Sequence, residues 1–560
     1  MPNAHRAFWV ADQTTGQRRE IQAWLRVQTP HAALWIQEDL WHDVGALQSA
    51  AENFEGEIHP TLRVALGSEW SPGIDHDPRI VLLHASGLGE NVLGYASTLD
   101  EYPRTIHPWS NEAEMIIVNL DAVDVGSPSY NALLSRELAR LIQWNQDRNE
   151  TRWVKEGLTE LGAALTGYRA DGLYEAFLQD LDVSLTAWTG TEAQRGAVGL
   201  FMWYFHQRFG DEGTRLLTAN SANGIDGFDA VLRELGTGLT FNDLFAEWLA
   251  AINLKGDSQA NGSPHPFSGL DLPSATASTV YDAFPAEIES SVHPFGADII
   301  VLRGQENLRI HFEGHGHAAL LTEMPPVDAP VWWSNRADES LTSLSRSFNL
   351  RGVEEATLTY RAWFDIEVHY DYATAAASTD NGKTWQLLQP PSGTDVNPFG
   401  NNPGWGYTGR SDGWLREAID LSNYAGGDVL VRFAYVTDGA VTGEGLLLDD
   451  ISIVEIDKPG SARTGAHSWR VDGFIRTDGF LAQQHLAYLI TEDDDSTFQA
   501  LPLGPDQQGE WTVPLGGRDL SEAILLLSAT SSHVREPAPY RLEITTSQPM
   551  PTQESGADEE

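Results

Sequence analysis

The chain of 560 residues contains no cysteine. That excludes disulfides and thiolate metal sites and is compatible with any compartment. Lysine is scarce: Lys155, Lys255, Lys383 and Lys458 are the only four. Basic residues number 35 against 80 acidic ones, a formal net charge of −45. Such a surface argues against nucleic acid and against an anionic membrane as partners. It stays soluble by self-repulsion and can gather cations such as calcium. Long apolar runs are missing too, and even "GLFMWYF" (Gly199 to Phe205) is far too short to span a bilayer. The opening "MPNAHRAFWVAD" has no basic segment followed by an apolar stretch, so no signal peptide is visible. This reads as a cytoplasmic chain, or as a start that was trimmed or misassigned.

What is present points to several domains. The length exceeds one ordinary core, so three or four are expected. Nineteen tryptophans and many short alternating runs favour strands in much of the chain. Residues 1–254 mix both periods. "IQAWLRV" and "HAALWIQ" read as a hairpin around Thr29-Pro30, and "ALQSAAENFEGEIHPTL" as a helix. "RIVLLHA" and "EMIIVNL" read as strands buried enough to lose strict alternation. From Ser127 to Leu254 the pattern is helical. Ser127-Pro128 supplies an N-cap and first-turn proline, and Thr240 with Asp243 resembles a capping box. A linker is expected at 255–266, a small β unit at 267–330, a longer β domain at 331–456 and a last β-sandwich at 462–546. The acidic tail 547–560 has the composition of a disordered segment.

One helix raises the chemical question. In "LLSRELARLIQWN" (Leu133 to Asn145), Leu134, Leu138, Leu141 and Ile142 form an apolar stripe. Two histidines at i and i+4, with a glutamate beside the first, would put both imidazoles on one face for a zinc ion and a base beside it. Here Arg136 and Arg140 hold those two positions, and Glu137 holds the base position. A second helix, "RWVKEGLTELGAALTGY", follows a polar loop and has Glu156 near its start.

"RELARLIQWN" followed by "WVKEGLTEL" resembles the gluzincin metallopeptidases, in particular the hyicolysin-like branch. "GSEWSPGIDHDPRIVLLHASGLG" and "DEYPRTIHPWSNEAEMIIVNLDA" are similar to bacterial relatives of that group. The resemblance covers roughly the first 250 residues. It implies that Glu137 stands at the general base and Glu156 at the third zinc ligand, and it offers Tyr168 as an oxyanion-stabilising tyrosine. Arg136 and Arg140 depart from the histidine ligands, and Lys155 departs from the usual asparagine. The resemblance also implies a fold class: a multidomain α+β chain, with a metallopeptidase-like (zincin) domain followed by all-β sandwich or jelly-roll domains.

The departure has physical consequences. Arginine keeps its proton and has no lone pair for a metal. Repulsion between a guanidinium and a metal ion adds about 1 kcal/mol per charge pair in water and about 4 at an intermediate dielectric. Zinc is therefore not expected in the family's way. Removing a dication would leave Glu137 and Glu156 close together, and two guanidiniums could neutralise them. The expectation is an Arg136–Glu137–Arg140–Glu156 cluster that holds the two helices together; the alternative is that both arginines face solvent. The other histidine group, His311, His315 and His317, lies in a strand and glycine turn and reads as a polar turn rather than a metal site.

The segment from "WWSNRADES" through "STDNGKTW" to "GLLLDDISI" resembles the jelly-roll domain behind the catalytic domain of immune inhibitor A-type peptidases. Asn381-Gly382 favours a type I′ hairpin turn. The resemblance implies calcium. Asp365, Glu367, Asp371, Asp449 and Asp450 supply hard oxygen ligands for it, or else cap strands and turns. Trp332 and Trp333 form a carbohydrate platform or part of the core.

Three functions follow. The first is a secreted or surface metallopeptidase homologue that has lost zinc and catalysis and binds a protein or glycan. The second is an active zinc metalloendopeptidase with atypical ligands. The third is a carbohydrate- or protein-binding surface protein acting through its β domains. The resemblance, against the absence of a visible signal, implies an extracellular or cell-surface location.

Overall fold

The protein is described from a computed structural model covering residues 4–253, 267, 270–321, 325–336, 340–439, 441–456, 468–491, 497–515, 521–531 and 533–547. The expected linker 255–266 and the tail after 547 lie outside the described residues.

The chain opens on a six-stranded sheet. Its strands are β1 (His5–Ala11), β2 (Arg18–Gln28), β3 (Ala32–Gln37), β4 (Ile80–Ala85), β5 (Gly94–Ala96) and β6 (Met115–Asn119), in the order β1-β2-β3-β4-β6-β5. The predicted hairpin is β2 with β3. Strands β3, β4 and β6 run parallel, and β5 closes the edge antiparallel to β6. Every residue of β4 and β6 is buried, because apolar clusters cover both faces of the sheet. That accounts for the missing alternation.

Eight α-helices accompany the sheet among the described residues: α1 (Val44–Asn53), α2 (His59–Leu66), α3 (Pro128–Gln146), α4 (Arg152–Leu165), α5 (Asp171–Gln179), α6 (Glu192–Thr218), α7 (Gly224–Glu234) and α8 (Phe241–Asn253). The helix predicted at 46–62 is α1 running through one π turn, Phe54–Ile58, into α2. Ser127 Oγ accepts the Tyr130 amide at 3.2 Å and starts α3. Thr240 and Asp243 exchange the reciprocal bonds of a capping box before α8. The α3 stripe Leu134, Leu138, Leu141 and Ile142 is buried against Val154, Leu158 and Leu161 of α4 and the rest of the helical core. Each such side chain contributes about 1.5–3 kcal/mol of burial. "GLFMWYF" lies inside α6, where Phe201 and Phe205 are core residues. Among the described residues no helix is long and apolar enough to cross a membrane.

The β-rich half divides differently from the linear reading. Strands β7 (Thr279–Tyr281), β8 (Ala286–Val292), β9 (Asp298–Arg303) and β10 (Asn307–Gly314) do not make a unit of their own. β8 and β10 flank Ala538–Ser547, and β9 pairs with Glu522–Ala529, so 279–314 and 485–547 build one two-sheet sandwich around one core. A second sandwich is inserted between these segments. One of its sheets contains Val331–Trp333, Thr357–Ile366 and Gly445–Ile453; the other contains Leu341–Asn349, Tyr372–Ser378 and Asp428–Val436. Strands Arg470–Asp472 and Ile475–Thr477 complete these two sheets, so the inserted domain continues past the expected end at 456. The outer sandwich packs on the helical domain through Phe295, Ile299, Ile490 and Leu526. Two backbone bonds tie the junction, Ala297 to Leu181 and Leu185 to Phe295. The mixed helical and β-rich architecture is that of a multidomain α+β chain.

Candidate functional site

Helices α3 and α4 are antiparallel neighbours and approach closely. A Cβ on Gly162 would meet the Ala139 Cβ at 3.0 Å, so a larger residue there would push the helices apart. At this spacing guanidiniums on α3 reach carboxylates on α4 directly. Arg140 donates from Nη1 to Glu137 Oε1 at 2.6 Å and from Nη2 to Glu156 Oε2 at 3.1 Å. One side chain thus joins the residues at the base and third-ligand positions.

Arg136 does not reach Glu137 or Glu156, contrary to the expected four-residue cluster. Its Nε and Nη2 grip Glu160, the shortest contact being 2.7 Å. The cause is the antiparallel register: one turn back along α3 from Arg140 faces one turn forward along α4 from Glu156. Glu156 instead gains Arg152 Nη2 at 3.0 Å, with Arg195 of α6 at 4.0 Å. Glu160, Arg152 and Arg195 were missed by the sequence reading. Only the i, i+4 spacing of Arg152 and Glu156 was a readable signal.

Glu137 is buried, and its second oxygen accepts the Ala96 amide of edge strand β5 at 3.0 Å. Burial pushes its carboxyl above the usual range, with the Glu156 charge adding to this; Arg140 and the Ala96 N–H oppose it. Burial lowers Arg140, but the two glutamates outweigh that and hold its pKa above the ordinary arginine value. The site is a chain of charge-assisted hydrogen bonds joining α3, α4 and β5.

The residues do not fit the zinc ion that the resemblance implies. Both ligand positions hold guanidiniums, and Glu137, Glu156 and Glu160 are all engaged by arginine. The structure does not bring Tyr168 here either. Its hydroxyl accepts a bond from Asn53 Nδ2 at 3.0 Å, beyond the far end of α4. The nine residue steps from Glu156 to Leu165 at the end of that helix span about 13 Å.

In the inserted sandwich the expected calcium set separates. Glu367 and Asp371 converge with Asp438, which the sequence reading missed; one oxygen from each lies within 4.8 Å of the others. This is the only such trio among the described residues. Asp371 Oδ1 accepts the Asp438 amide at 2.7 Å. Asp449 and Asp450 pair instead with Arg361, and Asp365 lies 3.9 Å from Arg410. Pairing of Tyr372 with Val436 is what brings the Asp371 and Asp438 ends together. Trp332 and Trp333 are 8% and 0% exposed, so they belong to the core and not to a sugar platform. His311 lies 3.2 Å from Glu313 and joins no three-ligand group among the described residues.

The comparison with known families bears first on the inserted sandwich: residues 322–479 match the family model of the immune inhibitor A-like MAM domain. About a third of the chain is also similar to proteins of the metallopeptidase family. It is 34% identical over 176 residues to the pre-pro-metalloprotease PrtV of Vibrio cholerae serotype O1, covering 30% of this chain and 18% of that protein. It is 25% identical over 198 residues to immune inhibitor A of Bacillus thuringiensis subsp. alesti, covering 34% and 28%. The chain thus spans less than a third of the length of either relative. Among solved structures, the VP2 protein of infectious bursal disease virus aligns over 46% of this chain and 62% of that one, at 10% identity and a TM-score of 0.12, too low to carry an argument.

Proposed function

We propose that this chain is a metallopeptidase homologue without zinc or catalysis: a gluzincin-type scaffold whose metal seat has become an arginine–glutamate network, with a binding or structural role. The observation that supports this reading best is Arg140 bridging Glu137 and Glu156. A base that must polarise water is here buried and bonded to a cation and to the Ala96 amide. The inserted sandwich takes the jelly-roll role of its relatives and binds calcium at Glu367, Asp371 and Asp438, where three converging carboxylates repel one another and a hard cation relieves them. The protein or glycan partner is met outside the cell or at its surface.

The test is metal content of the purified chain, with hydrolysis of a denatured protein substrate with and without added zinc. This reading expects no stoichiometric zinc and no chelator-sensitive cleavage. Zinc bound beside Glu137 and Glu156, together with such cleavage, would overturn it. The double variant R136H/R140H tests the ancestry: it restores the i, i+4 imidazole pair and should take up zinc, whereas failure to bind any metal would count against a former metal seat.

A further inference from the structure

The turn between β1 and β2 and the segment that follows β5 enclose a cavity of about 220 Å³. It is smaller than the pockets that take drug-sized ligands, so it suits a single ring. Trp9, Tyr95 and Trp109 give it aromatic walls. Asp100 lines it and is only 5% exposed. One oxygen of its carboxylate accepts the Asn111 amide and the Asn111 side-chain N–H, at 2.8 and 2.9 Å. The other oxygen accepts no hydrogen bond among the described residues. His107 Nδ1, buried on the same cavity, has no partner among them either. The hairpin register sets Arg18 opposite Ala11 on the cavity wall. Its guanidinium lies over the Trp109 ring, 4.6 Å from the centroid, and forms no ion pair among the described residues.

The charges around this cavity do not select an ion. Asp12 lines it with Asp100, and its carboxylate already accepts the Thr14 and Thr15 amides at 2.8 and 3.0 Å. Burial, with the Arg18 charge second, lowers the His107 pKa, so that imidazole is neutral at neutral pH. A cationic ligand would meet Arg18, and an anionic one would meet two carboxylates. A neutral ring bearing hydroxyls meets neither obstacle. Each hydroxyl both donates and accepts, so neighbouring hydroxyls satisfy Arg18 and the free oxygen of Asp100 together. The C–H face of such a ring packs on an aromatic wall.

We propose that this cavity binds the neutral pyranose end of a glycan, with Trp9 and Trp109 against the ring and Arg18 and Asp100 on its hydroxyls. The proposal rests on the binding role argued above and names a glycan as the partner. It does not rest on the loss of zinc. Zinc uptake with cleavage would leave it standing, and silence toward sugars would leave the reading of the metal seat standing.

The experiment is calorimetric titration of the full chain with the methyl glycosides of glucose, galactose, mannose and N-acetylglucosamine. Glucuronate and glucosamine serve as the acidic and basic counterparts. The expected result is saturable binding of at least one neutral glycoside, tighter than either charged sugar. R18Q should weaken it by roughly ten-fold, the size of one hydrogen bond to a charged group, and W109A by a similar factor. Both side chains reach solvent, so both variants should keep a cooperative unfolding transition. F399A, which removes an exposed aromatic ring from the inserted sandwich, should leave the affinity unchanged. Binding of none of the neutral glycosides, tighter binding of a charged sugar, unaltered affinity in R18Q or W109A, or loss of binding in F399A would overturn the assignment.

Discussion

Arg140 Nη2 meets Glu156 Oε2 at 3.1 Å across two antiparallel helices, while the same guanidinium holds Glu137 at 2.6 Å on its own helix. Both carboxylates are nearly buried, at 6% and 3% side-chain exposure, whereas Arg140 is 36% exposed. The arginine therefore acts as a lid of charge over two acids that could not lie together unaided.

Removing that lid should be costly. R140M leaves Glu137 facing Glu156, with Arg152 the nearest remaining cation on the latter. Breaking a fully buried pair costs roughly 3–5 kcal/mol, and the partial exposure of Arg140 lowers the expectation to about 2–3. Urea unfolding measures it. Adding E137Q and E156Q to R140M should recover most of the loss, because the uncompensated charges are then gone. An R140M midpoint equal to the parent's would show that the bridge contributes nothing.

The helices of this site were legible in the sequence because their signals are local. Ser127 with Pro128 marks the start of α3, and the leucine stripe sets its buried face. The meeting of Arg140 with Glu156 was legible too, once the two motifs were read as one site. The partner of Arg136 was not, since it depends on how α3 and α4 slide past each other, which no local pattern encodes. The β half shows the same limit. β10 finds Ala538–Ser547 more than two hundred residues away, and Asp438 joins Asp371 only because two strands pair. Strand identity is a property of a segment; strand pairing is a property of the whole chain.

The carboxylate trio gives a second prediction. Calcium bound at Glu367, Asp371 and Asp438 should stabilise the fold by about 2.7 kcal/mol at one hundred times the dissociation constant, and so raise the unfolding midpoint in a concentration-dependent way. D371N should abolish the shift, because Asp371 is the buried member of the set. D449N, whose carboxylate belongs to Arg361, should keep the calcium shift even if its own stability falls. Thermal unfolding with calcium or with chelator decides this. A midpoint indifferent to calcium would remove the site, and loss of the shift in D449N would move it.

The third prediction concerns pH. Burial, with the neighbouring Glu114 charge second, pushes Glu101 up to about 8. Glu114 is pushed up to about 7, chiefly by burial and against the Ile74 amide that bonds it at 3.2 Å. Both folded-state values lie above the ordinary glutamate value near 4.5. The folded chain therefore holds protons that the unfolded chain releases, and stability must fall as pH rises across that window. The contribution is complete below about 4.5 and is lost as pH passes through about 7 and about 8. The helical domain should thus melt at a higher temperature at pH 5.5 than at pH 8.5, with the general repulsion of an acidic surface acting in the same direction. E101Q separates the two causes. A neutral amide cannot release a proton, so the variant should lose part of the pH slope between 6 and 9 while keeping the part due to surface charge. Added salt should flatten the surface part and leave the buried part, since screening hardly reaches groups away from solvent. Equal slopes in the parent and E101Q would show that Glu101 does not hold a proton in the folded chain.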